Sequence, residues 1–127
     1  MLTIIPQRQV RADGTGSVIK LGEYRGKLLV LTLEISSVIE QESICVAVYG
    51  SSDGIDWGNM PLVSFPQKHY CGLYSILLNL TRHSDVRYLR TEWTVKGWFR
   101  AEVTPMFQFT LYAEPSGARL SAVAVAR

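Results

Sequence analysis

The amino-acid sequence predicts an all-β protein, a single-domain antiparallel β-sandwich of either jelly-roll or immunoglobulin-like type. Three observations lead there. Apolar residues recur with a period of two almost everywhere, the runs that carry this period are short, and turn-forming residues bound each of them. No stretch shows a sustained helical period with a cap; "SVIEQES" (37–43) holds one helical turn at most.

The chain opens with an extended apolar segment, residues 1–10, interrupted by Pro6, that could act as an extended arm. "ADGTG" (12–16) is expected to turn a first hairpin between "QVRA" and "SVIKL". In "LLVLTLEI", Leu29, Leu31, Leu33 and Ile35 share one face. In "ICVAVY", Ile44, Val46 and Val48 do the same, with Cys45, Ala47 and Tyr49 opposite. "LYSILLNL" places Tyr74, Ile76, Leu78 and Leu80 together. "YLRTEWTV" buries Leu89, Trp93 and Val95 and leaves Arg90 and Glu92 outside. "FQFTLYA" contributes Phe107, Phe109, Leu111 and Ala113. Side chains alternate across a strand, so each set is a half-buried face, and two sheets packed together would bury them all. "EYRGK", "SSVIEQES", "TRHSD" and "KGWFRAEVTP" are the remaining breaks.

Composition bounds the rest. A chain of 127 residues, 47% of them hydrophobic, suits one domain (1–127) and is not disordered. The net charge of +2, with scattered arginines, gives no basic field of the kind nucleic-acid binders use. No apolar run is long enough to span a bilayer. The N-terminus lacks the basic and apolar regions of a secretory signal, so an unprocessed, cytoplasmically made protein is expected. Cys45 and Cys71 make no metal or redox motif, and whether they pair is open.

The stretch "SSDGIDW" (51–57) is the one candidate loop for chemistry. Asp53-Gly54 favours the positive backbone dihedrals of a tight hairpin turn, Ser51 or Ser52 and Asp53 can hydrogen-bond nearby amides, and Trp57 can fold back over the base of the hairpin. Ser51, Asp53, Gly54 and Trp57 are therefore read as a folding element. A calcium loop would need alternating carboxylates and a closing bidentate Glu, whereas Asp53 and Asp56 stand nearly alone. No second acidic strand end marks a glycosidase pair.

Other constellations fare no better. His69 and Cys71 share a strand face, but a nucleophile pair needs an orienting third group and an oxyanion hole. Cys45, His69, Cys71 and His83 match no zinc spacing. "GTGS" (14–17) precedes no helix and so cradles no phosphate. Asn79-Leu80-Thr81 is a glycosylation triplet by chance at a strand end. No catalytic residue, metal or cofactor is expected. The interaction candidates are the outward Tyr49, Tyr88, Arg90 and Tyr112, and Trp98 and Phe99 in the "KGWFR" loop. Leu120, Val123 and Val125 join them, in a small-residue apolar tail (117–127) that could close the sheet or act as an arm.

Two resemblances rest on these motifs. Ser51-x-Asp53-Gly54-x-x-Trp57, followed by Arg87-Tyr88-Leu89-Arg90, resembles discoidin-type β-sandwich modules, although this chain lacks their bracketing cysteines. "RYLRTEWTVKG" (87–97) is similar to a recurring strand of small β-sandwich proteins in tailed-phage virions, including capsid decoration proteins. The second resemblance implies a non-catalytic structural protein, a decoration or head-associated component, partnered by itself or other virion proteins and located in the virion. The first implies a carbohydrate-binding or adhesive module. Neither implies a nucleic-acid or membrane partner.

Overall fold

A computed structural model describes residues 1–38, 42–68, 70–97 and 106–115. They form nine strands: β1 (Leu2–Val10), β2 (Gly14–Thr15), β3 (Ile19–Lys20), β4 (Leu28–Val38), β5 (Glu42–Ser51), β6 (Val63–Ser64), β7 (Gly72–Asn79), β8 (Tyr88–Gly97) and β9 (Phe107–Pro115). A single 3₁₀ turn, Gly22–Tyr24, joins β3 to β4. One sheet has the order β1-β9-β4-β7; the other runs β2-β8-β5-β6, with β3 also paired to β8. All pairings are antiparallel.

The pairing is nested. The first strand meets the last, β2 and β3 meet β8, β4 meets β7, and β5 meets β6. A chain folded back on itself as one long hairpin and then rolled gives this order, which is that of a jelly roll. It differs from the immunoglobulin arrangement, so the tertiary pairing decides between the two expected topologies.

The alternation read from the sequence fills the space between the sheets. Leu29, Leu31, Leu33 and Ile35 of β4 are buried, as are Phe107, Phe109, Leu111 and Ala113 of β9 and Ile44, Val46 and Val48 of β5. In β7 the inward set fades from buried Leu78 to half-buried Ile76 and Tyr74, because β7 is the last described strand of its sheet. Trp93 joins the two layers. Its indole meets Phe109 of the opposite sheet edge-to-face at 5.6 Å, and its Nε1–H donates to the Ala12 carbonyl at 3.1 Å. Gly14 lies flat on that indole: a Cβ there would stand 2.8 Å from the ring.

Two expectations about the N-terminal region are corrected. Residues 1–10 are not a free arm; β1 pairs with β9 from Leu2↔Ala113 to Val10↔Phe107. "ADGTG" does not turn a hairpin, since β1 lies in one sheet and β2 in the other. Asp13 instead pins the crossover, its carboxylate accepting the Val95 amide at 2.8 Å. Ile4, Ile5 and Val10 need the core, and the short β2 and β3 complete the opposite sheet, so burial separates what a local turn would have paired.

Candidate functional site

The "SSDGIDW" stretch begins at the last residue of β5. Gly54 has φ +78°, in the left-handed region expected for it. The tight hairpin expected there is absent, however. The chain does not re-pair with β5 until Val48↔Val63 and Ala47↔Ser64, followed by Ile44↔Lys68, so residues 52–62 form a long loop. Ser51 itself pairs with Tyr88 of β8, and the turn lays the loop across that strand.

Hydrogen bonds within the loop are dense. The Ser51 hydroxyl donates to Asp53 Oδ1 at 2.8 Å and accepts the Asp53 and Gly54 amides at 3.2 and 2.8 Å. Asp53 Oδ1 also accepts the amides of Ile55 and Asp56, at 2.8 and 2.9 Å. The Asp56 and Ile55 amides, then the Ser51 hydroxyl, stabilise the carboxylate and lower its pKa to about 2. A carboxylate so committed is a weak base at neutral pH and serves the turn. Asp56 repeats the device on the Gly58 amide at 3.0 Å, where Gly58 has φ +66°.

The loop then closes on "RYLR". The Trp57 side chain is 9% exposed, and the Arg90 guanidinium lies 4.8 Å from its ring centroid. Arg90 Nε is buried with no hydrogen-bond partner, so the indole face is the group that meets its charge. A Cβ on Gly54 would touch the Tyr88 ring at 3.5 Å. The Arg87 amide donates to the Ser51 carbonyl at 2.9 Å. The two sequence motifs are thus the two halves of one packing unit, which explains why they occur together in this chain. Thr91, the inward neighbour of Arg90, buries a hydroxyl without a hydrogen-bond partner.

Tyr49, Tyr88 and Arg90 gather on the outer face of the β8 sheet beside this loop, with Tyr49 directly opposite Arg90. Tyr112 lies on the outer face of the other sheet, between Thr3 and Thr32, and is not part of the group. Trp98, Phe99, Leu120, Val123 and Val125 lie outside the described residues, as does His69. Cys45 and Cys71 are both free and exposed. Among the described residues no cluster of His, Cys, Asp or Glu could hold a metal ion. No helix among them is long and apolar enough to cross a membrane. Asn79 accepts the Thr81 amide at 3.0 Å, so the glycosylation-like triplet builds a turn.

Sequence reasoning missed the feature that β7 presents. Its whole length pairs with β4 without a break, from Leu28↔Asn79 to Ile35↔Gly72, and among the described residues no strand lies beside its other edge. "GLYSILLN" carries no charge and no proline. On its outward face Leu73 and Leu77 are 64% and 52% exposed. The available signal was apolar residues at both parities of "LYSILLNL". The other sheet edges are differently protected: β1 has Pro6 and two register breaks, while β2, β3 and β6 are two residues each.

No family model matches the chain, and no curated protein or solved structure matches it either.

Proposed function

We propose that the protein is a non-catalytic structural component that works by association, as a capsid decoration or head-associated protein of a tailed-phage virion. The observation that carries this reading is the β7 edge. A long, regular edge strand with no charged residue of its own and with exposed leucines is a template for another strand, and proteins that stay monomeric blunt such edges. In an assembly a neighbouring chain covers it, and main-chain hydrogen bonds supply much of the affinity. The C-terminal run 119–126 has the composition for that role, because small residues let backbones approach closely. Jelly rolls serve in viral shells and in lectins alike, so the fold supports the reading by analogy only. A lectin of discoidin type would need open aromatic faces. Trp57 is spent on Arg90 and Trp93 on the core, which favours the structural reading.

The test is sizing chromatography with light scattering on three proteins: the wild type, Leu77→Lys, and the chain truncated after Gly117. The wild type should be oligomeric. Both variants should lose oligomers while their dilute thermal midpoints stay within about 2 °C, as for a surface change. If only Leu77→Lys dissociates, a second β7 edge, not the tail, is the cover. A wild type that remains monomeric at its highest soluble concentration, or a Leu77→Lys variant that still assembles, overturns the edge argument.

A further inference from the structure

Beside the Trp57 loop, but apart from the β7 edge, lies an open cleft of about 400 Å³ lined by Lys20, Gly22, Arg25, Arg87 and Tyr88. Its charge is one-sided. Among the described residues three cationic side chains line it and no carboxylate does. Among the described residues none of the three has an ion-pair partner. Like charges brought to one concavity repel, so an arrangement of this kind is stabilised when an anion enters.

The fold holds these groups in place from several directions. Lys20 sits opposite Tyr88 in the β3–β8 register, so the two side chains leave the same face. The Leu21 amide donates to the Arg87 carbonyl at 2.9 Å, tying the strand end to the 3₁₀ turn. Leu21 itself is buried and anchors that turn. Arg25 Nε–H donates to the Ser84 carbonyl at 2.9 Å, which orients the guanidinium and leaves its terminal nitrogens for a ligand. Gly22, at φ +56° with open space where a Cβ would be, keeps the floor of the cleft clear. Tyr88 adds a ring and a hydroxyl.

We propose that this cleft binds a phosphate or sulfate ester group, with Arg25 and Arg87 as the hydrogen-bonding forks, Lys20 as the point charge and Tyr88 as the neighbouring aromatic wall. Guanidinium forks suit tetrahedral oxyanions, and an ammonium adds charge without fixed geometry. The ester could belong to a nucleotide or to a sulfated sugar, and the binding chemistry is shared.

The experiment is calorimetric titration of the full chain at low ionic strength with inorganic pyrophosphate, adenosine diphosphate and a sulfated disaccharide. NMR amide shifts are followed in parallel. At least one probe should bind, with shifts centred on Gly22, Arg25 and Tyr88 and an affinity that falls as salt rises. Arg87→Gln and Lys20→Gln should each weaken binding about three- to tenfold, as loss of a charge-assisted contact in a partly solvated site does. Arg11→Gln, remote on the β1–β2 crossover, should leave it unchanged. Preference between the last two probes assigns the source of the ester. Absence of heat and of shifts with all three probes overturns the proposal. So does binding that the folded Arg87→Gln/Lys20→Gln double variant retains in full. Should that variant not fold, shifts in the wild type that map away from the cleft refute the assignment equally.

Discussion

Replacing Trp57 by alanine tests whether the 51–58 loop is a folding element. The side chain is 9% exposed, so the substitution removes nearly all of an aromatic's burial. That is about 200 Å² of apolar area, or about 5 kcal/mol at about 25 cal/mol per Å² as an upper figure. The indole lies on the outside of a sheet, where the loop can settle over the gap and water can reach Arg90, so relaxation recovers part of this. Loss of the Arg90–Trp57 contact adds about 1 kcal/mol. The net expectation is about 3 kcal/mol, or a fall of about 10 °C in thermal midpoint for a domain of this size. Near-ultraviolet circular dichroism through a thermal melt reads it directly. Arg90→Met, alone and combined with Trp57→Ala, gives a double-mutant cycle whose coupling should be about 1 kcal/mol. A Trp57→Ala midpoint within about 2 °C of wild type, with assembly or ligand binding lost, would refute the structural reading and make the loop a binding surface.

Two more outcomes are expected of the same loop. Gly54→Val should cost about 1–3 kcal/mol, because a β-branched residue does not easily hold φ near +78°, and chemical denaturation measures it; an unchanged midpoint would mean that the turn reorganises freely. Asp53 has a folded-state pKa lowered from 3.8 to about 2, so its contribution is present above the unfolded value and is lost as pH falls from about 4 toward 2. The Ile55 amide resonance should titrate with a midpoint of about 2, a step that Asp53→Asn removes, and a midpoint near the ordinary carboxylate value in the wild type would contradict the hydrogen-bond geometry.

The local chemistry of the chain decided the strands and their buried faces. Alternation in "LLVLTLEI", "ICVAVY" and "FQFTLYA" needs only the geometry of an extended backbone, and any burial of one face fixes the rest. The positive φ at Gly54 is equally local, since a residue without a Cβ adopts it at little cost. The path of the chain beyond Gly54 is set from a distance. Whether Asp53-Gly54 reverses the chain into a hairpin or lays a loop across β8 depends on where β6 finds β5, and on Arg90 being ready to receive Trp57. The same holds for "ADGTG", whose turn propensity gave way to the burial of β1 in one sheet and the completion of the other by β2 and β3. Jelly-roll order, the edge of β7 that no described strand covers, and the meeting of Lys20, Arg25 and Arg87 in one cleft all arise from pairings between distant segments. Periodicity records which face of a strand is buried. It carries no record of which strand lies beside it, because hydrophobic burial is non-directional and backbone hydrogen bonds are the same for every neighbour.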